Sequence, residues 1–410
     1  MAQDSGDRVK EYHKSYNSTI KLIRKYWGPA LYLSACMIFL LMDFINDRLW
    51  LSDFEVYYRS AARLIDGITL YRHPEDLHYV FKYSPVSALY FTPYLWLSFD
   101  ISKIIYWISL SLYMVAGYMF LLKSCDEDFL RSGQKHLNWI FLILIPATGV
   151  HFLRELHLGQ VNHLILVVYF LMLYLYQNSR YVLAGTLLSF SFFLKPFSLI
   201  FIPYFILKRQ YNVILSFLFS SVVFFMLPLP LYGSWTIHLS EYLNWFNELV
   251  IELGNKQDLF SDGNHTIFSI LARYSPLGII AGSHQLLYQL LILAALAISL
   301  LIFITKGNGV VRSAPLDITV LAALIPLMAF TSSNAFIYSS GLIVILLLNW
   351  SSLFLVEKTL AVSGFMLTGV NFAEILGKAF SEYLSATSAV SIATLLLVIV
   401  AFSIRLRRVS

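Results

Sequence analysis

The chain has 410 residues, 58% of them hydrophobic and 13% charged, with a mean hydropathy of +0.69. Soluble globular chains are closer to half apolar and about a quarter charged, so a soluble domain is excluded. A formal net charge of +5 makes no case for a nucleic-acid partner, because the basic residues gather in short loops, where the orientation signals of a membrane protein belong. Several apolar runs are long enough to cross ~30 Å of hydrocarbon. Backbone groups in lipid must be satisfied within the segment, and the runs are continuous rather than alternating, which selects helices over a barrel. The expected fold is an all-α integral membrane bundle of about twelve transmembrane helices, with juxtamembrane helices in its first outer loop.

Residues 1–25 form a basic tail, and the first predicted helix runs from Tyr26 to Asn46. Arg24 and Lys25 precede it and no small-residue cleavage pattern follows, so it reads as a retained helix rather than a signal peptide. Cys36 lies inside this run and Cys125 in a later loop, a pair with neither disulfide nor metal-site spacing.

The first outer loop spans 47–102. Asp53 stands just past the first helix, where a carboxylate is placed either to accept a proton as general base or to cap the helix that follows. Glu55 is two residues on and does not share its helix face. "VYYRSAARLIDG" predicts a short helix stopped at Gly67. "SPVSALYFTPYLWLSF" (84–99) is short and carries Pro85 and Pro93; it predicts an interfacial segment rather than a crossing.

Predicted crossings follow at 103–122, 139–153 and 163–177. Between the last two, "RELHLGQVN" (154–162) offers Gly159, Gln160 and Asn162 at a helix start, as sugar-binding amides or as caps. Residues 181–207 would span ~40 Å as one helix and are expected to fold back at Lys195–Pro196. A lysine between "SFSFFL" and "PFSLIF" is costly in a membrane unless functional or paired; it suits a lipid phosphate, or it snorkels.

The run 211–231 closes an N-terminal membrane module, 26–231. A long outer loop, 232–284, contains "SDGNHTIFSILARYSP". There Asn264, His265 and Thr266 precede a helix ending near Arg273, a bidentate phosphate clamp or an ordinary surface arginine. His157, His163 and His265 lack zinc-site spacing. The C-terminal helices, 285–410, are expected at 285–305, 316–331, 337–355, 359–373 and 387–404, with "SSNAFIYS" (332–339) between two of them.

Basic residues fix the direction. Lys10, Lys14, Lys21, Arg24 and Lys25 at one end and Arg405, Arg407 and Arg408 at the other predict cytoplasmic termini and an even number of crossings. With 84–99 not crossing and 181–207 folded back, Lys123, Arg131, Lys135, Arg180, Lys208, Arg209, Lys306, Arg312 and Lys358 are cytoplasmic too. The outer face of the cell (inner or plasma) membrane then collects loops 47–102, 154–162, 195–196, 232–284 and 332–339.

Taken in order, the acid after the first helix, "YYRSAARLIDGITLY", "FKYSP", "GQVN", "AGTLLSFSFFLKP" and "NHTIF" resemble glycosyltransferase family 87, the polyprenol-phosphate-mannose-dependent mannosyltransferases of the GT-C superfamily. The resemblance covers Asp53 to Arg273 and fades through the last third. It implies a GT-C-type membrane enzyme that moves a hexosyl, typically mannosyl, group from a polyprenyl-phosphate sugar to a glycolipid or glycan acceptor. Transfer would invert the anomeric centre on the non-cytoplasmic side. By the same resemblance Asp53 is the catalytic base, and Gln160, Asn162, Lys195 and Arg273 hold the donor and its phosphate. Tyr57, Tyr58, Tyr83, Asn264, Asn334 and Tyr338 would line the substrates. The family's late outer loop often carries a histidine; "SSNAFIYS" has none. Partners are the lipid-linked donor, the acceptor and membrane lipids. No cofactor and no divalent metal are expected. The competing reading is a polytopic transporter or flippase of lipid-linked sugars, which an internal repeat would favour; the sequence shows none.

Overall fold

The computed structural model of the chain describes residues 26–76, 79–125, 137–254, 258–305, 314–329, 333–369 and 377–407. The basic tail 1–25, Arg131, Lys135, Lys306, Arg312 and Arg408 lie outside the described residues. Every regular element among the described residues is helical.

The chain begins with α1 (Tyr26–Ile45). Two short helices follow, α2 (Ser52–Ile65) and α3 (Pro85–Phe91). Next come α4 (Phe99–Ser124), α5 (Leu137–Leu158), α6 (Asn162–Gln177), α7 (Tyr181–Leu194), α8 (Phe201–Leu207) and α9 (Tyr211–Met226). The second half holds α10 (Trp235–Gly254), α11 (Ile267–Tyr274), α12 (Gln285–Thr305), α13 (Ala314–Met328), α14 (Ser340–Leu348), α15 (Leu355–Gly369), α16 (Lys378–Ala386) and α17 (Ala389–Arg407).

About twelve crossings were expected; among the described residues six helices qualify by length and composition. They are α1, α4, α5, α9 with its extension to Tyr232, α12 and α17. The remaining apolar segments are shorter. Helix α6 has 16 residues, ~24 Å at 1.5 Å per residue, against ~30 Å of hydrocarbon. Burial explains the shortness. Residues 162–170 of α6 and 314–327 of α13 are buried without a break, as a helix apolar on every side requires. Long α9 and α12 instead expose Leu215, Phe219, Leu286 and Leu290. Short α6 and α13 lie in the core, whereas long α9 and α12 form part of its apolar rim.

The fold-back within 181–207 is present. Tyr181, at the start of α7, and Phe205, in α8, both face Tyr176 at the end of α6, with ring centroids 6.0 and 5.4 Å away. The two legs therefore begin and end at one level and Lys195 is the apex. Pro196 opens a 3-10 turn and Lys195 is extended (φ −147°, ψ 131°), the conformation a following proline imposes. Segment 84–99 holds a seven-residue helix and a 3-10 turn, Thr92–Trp96, with Trp96 87% exposed.

At the base of the hairpin a second set of charges is buried. Arg405 reaches Asp317 through Nη2, at 3.1 Å from Oδ1 and 3.3 Å from Oδ2, and donates Nε–H to the Phe303 carbonyl at 3.0 Å. Lys208 donates to the Ile304 carbonyl at 3.0 Å and lies 3.8 Å from Asp317. These contacts clasp α8, α12, α13 and α17 together.

Candidate active site

Helix α2 sets the first functional side chain. It starts after Leu51, whose backbone is left-handed (φ 43°, ψ 50°) although its side chain is fully buried. A leucine pays roughly 1–2 kcal/mol for that conformation. Two contacts hold it there. Leu51 N–H donates to the His157 carbonyl at 3.2 Å, and Gly159 (φ +71°) lies against the turn. A Cβ on Gly159 would sit 2.9 Å from Phe54 Cβ, so the close approach and the positive φ both require glycine. Asp53 falls in the first turn of α2, two positions past the N-cap, which is Leu51. Its carboxylate faces the end of α5 instead of serving its own helix.

The rest of α2 is fastened by charge. Arg63 grips buried Asp76 with two hydrogen bonds of 2.6 and 2.9 Å and takes Glu75 at 2.6 Å. Glu55 pairs with Arg59 one turn on, a structural role. The helix stops at Gly67 (φ +68°) as expected.

The "YSP" loop docks on the apex of the hairpin. Ser84 and Ser87 hydroxyls donate to the Phe193 carbonyl at 2.8 and 2.6 Å. This brings the Tyr83 ring to 5.9 Å from Lys195 Nζ and its hydroxyl to 2.8 Å from Tyr57 Oη. Burial, and the Asp53 charge nearby, push the Tyr83 and Tyr57 phenols upward, so both stay neutral donors.

The amides tie the charges together. Lys195 Nζ donates to Asn162 Oδ1 at 2.8 Å, and Tyr338 Oη donates to the same oxygen at 3.1 Å. Asn162 Nδ2 donates to Glu155 Oε1 at 2.6 Å and to Gln160 Oε1 at 3.1 Å. Asn334 Nδ2 donates to Gln160 Oε1 at 3.0 Å and also bonds Glu155 Oε1. With its carbonyl so occupied, Gln160 has its NH2 group left to face Asp53, whose charged form it favours. Burial lifts the Asp53 carboxyl above its usual range, while the Gln160 hydrogen bond and the charges of Lys195 and Lys82 pull it back in part.

Eight of the eleven expected site residues thus meet: Asp53, Tyr57, Tyr83, Gln160, Asn162, Lys195, Asn334 and Tyr338. Three do not. Tyr58 donates to the Leu97 carbonyl at 3.1 Å and packs on Phe99. Asn264 Oδ1 accepts from Thr266 N and Oγ1 at 3.1 and 2.7 Å, locking the turn before α11. Arg273 donates to the carbonyls of Ala386 and Asn264 at 2.5 and 3.2 Å and bonds Ser388, stapling α11 to the start of α17. Beside it His265 is held neutral, burial pulling it down to about 4. A surface recess is lined by Arg72, Asn244 and Glu248 and by none of the eight residues that meet.

Two members were not anticipated from the sequence. Glu155, fully buried, sits within "RELHLGQVN" but was overlooked beside the amides; a carboxylate near the end of a long apolar helix was the available signal. Lys82, in "FKYSP", pairs with Glu252 at 2.7 Å and its charge also bears on Asp53 and Lys195. Among the described residues no three His, Cys, Asp or Glu side chains group closely enough to hold a metal ion.

A family comparison decides what this cluster belongs to. The model of glycosyltransferase family 87 matches residues 81–333. The chain belongs to glycosyltransferase family 87. The match contains Glu155, Gln160, Asn162 and Lys195, begins after Asp53 and stops just before Asn334. No curated protein matches the chain. The family and the six long apolar helices together describe a membrane-embedded glycosyltransferase, which moves a sugar from a donor to an acceptor.

Proposed function

We propose that this family 87 enzyme transfers a hexosyl group, mannosyl in the first instance, from a polyprenyl-phosphate sugar to a glycolipid or glycan acceptor, inverting the anomeric centre, on the non-cytoplasmic face of the cell membrane. The observation that carries the reading is the Asp53–Gln160–Asn162–Lys195 chain. It sets a carboxylate with a raised affinity for protons and a half-buried ammonium on either side of two amides.

The division of labour follows from charge. The acceptor hydroxyl approaches the anomeric carbon opposite the phosphate, and Asp53 takes its proton as the new C–O bond forms. The bond from the anomeric carbon to the phosphate oxygen breaks, and its electron pair leaves with the lipid phosphate. Lys195 has three N–H donors and spends one on Asn162; the others are available to the charge that develops on the leaving oxygen. A phosphate leaves without a general acid, so one base suffices, and no metal is needed to neutralise it. Inversion requires the base and the leaving group on opposite faces of the sugar, and the separation of Asp53 from Lys195 by two amide side chains supports that arrangement. Orientation rests on the basic residues of the loops.

The test is donor profiling in proteoliposomes. Purified enzyme is given lipid-phosphate sugars of several hexoses, or nucleotide sugars, with and without a chelator. Transfer from lipid-phosphate hexose alone, unaffected by chelation, is the expected result. Transfer from nucleotide sugars, or from none of the lipid-linked donors, overturns the reading.

A further inference from the structure

We infer that Glu155 recognises the donor sugar: its Oε2 accepts a hydrogen bond from a ring hydroxyl of the lipid-linked hexose, while Asp53 serves the acceptor hydroxyl. The inference rests on the function proposed above and names the residue that reads the donor's hydroxyl pattern.

Three observations carry it. First, Glu155 is fully buried, and its two oxygens are treated unequally. Oε1 takes both Asn162 and Asn334, whereas Oε2 is buried without a hydrogen-bond partner. An ionised carboxylate accepts on both oxygens, and a buried acceptor left without a donor is costly. Second, Asn162 holds Glu155 through its NH2 and Lys195 through its carbonyl. One amide therefore joins the ammonium suited to the phosphate and the carboxylate, so a phosphate held by Lys195 brings the sugar it carries beside Glu155. Third, the network has a direction. Asn162 and Asn334 donate to Gln160, whose amide in turn favours the charge of Asp53 beside it. Every amide hydrogen so counted points at a carboxylate or at Gln160, so what the site still lacks at Oε2 is a donor. A sugar hydroxyl is such a donor; a methyl, a hydrogen or a fluorine is not.

The experiment measures kcat and KM for the wild type and Glu155→Gln with a parent lipid-phosphate hexose and its single-deoxy analogues. The wild type is expected to disfavour one analogue by about 10²-fold or more in kcat/KM, because a site built to bond a hydroxyl is left unpaired without it. In Glu155→Gln that one discrimination falls to within about threefold, through a higher KM for the parent, and the other positions keep theirs. Discrimination unchanged at every position in a folded Glu155→Gln enzyme overturns the inference. Should Glu155→Gln not fold, the wild type is tested with deoxyfluoro donors, which accept but do not donate. The sensitive position must then lose as much with fluorine as with hydrogen, and equal turnover of every analogue overturns the inference. If the parent donor itself is not used by the wild type, the proposed function fails instead, so the two failures are distinguishable.

Discussion

Two sets of charged side chains lie buried or half-buried in this protein, at opposite ends of the α7–α8 hairpin, and they are finished differently. At the base, Asp317 is met by Arg405 and Lys208, and both cations also bond backbone carbonyls. At the apex, Lys195 spends one donor on Asn162 and Glu155 leaves an oxygen bare. Burying an ion is costly in both places. The base meets the cost with charge against charge and becomes a clasp. The apex meets it with neutral amides and keeps bonding capacity for something the chain does not contain. Unspent capacity, rather than the number of charges, separates the site from the scaffold.

The contrast can be broken from either side. Asp317→Asn removes one partner of a paired buried set and is expected to lower stability by about 3–5 kcal/mol, seen as a fall in the thermal midpoint, with transfer per folded molecule unchanged. Loss of turnover in the folded variant would make the base part of the site. Lys195→Ala should do the reverse: transfer falls about 10²–10³-fold, the size of losing one electrostatic contact to a developing negative charge, with the fold kept in gel filtration. Gly159→Ala sharpens the comparison. The added methyl meets Phe54 and displaces the first turn of α2, and a shift near 1 Å at a reacting group costs about 10² in rate. Donor binding, which depends on Lys195 and Asn162, should change little.

The sequence made much of this legible, for reasons that differ by region. Continuous apolar runs reveal helices, and "LKP" reveals a reversal, because proline acts on its own neighbours. The crossing count was less accessible. α6 and α13 are as hydrophobic as helices that face lipid, and only their burial explains why they are short. The site divides in the same way. Asp53, Gln160, Asn162 and Lys195 were found by residue type and by resemblance, since each is out of place in an apolar chain. Glu155 was hidden by its position in a basic and polar stretch, between Arg154 and His157. Arg273 and Asn264 were expected as a phosphate clamp and a substrate-lining residue. The Ala386–Ser388 segment that occupies Arg273 is over a hundred residues away, and the hydroxyl that occupies Asn264 belongs to a turn whose closure only the fold reveals.

Asp53→Asn tests the central claim most directly, because its two readouts move in opposite directions. Burial raises the Asp53 pKa above its unfolded value. Its contribution to stability is therefore present at low pH and is lost as pH rises through that raised pKa. At neutral pH the ionised carboxylate is a net cost to the fold. The measurement is transfer from a lipid-phosphate hexose in proteoliposomes across pH, paired with the thermal midpoint. The account predicts wild-type turnover that climbs with pH through the raised Asp53 pKa. It predicts that Asp53→Asn loses at least about 10³-fold in transfer while its thermal midpoint at neutral pH holds or rises by a few degrees (~1 kcal/mol or less). Full turnover in a folded Asp53→Asn enzyme would contradict it.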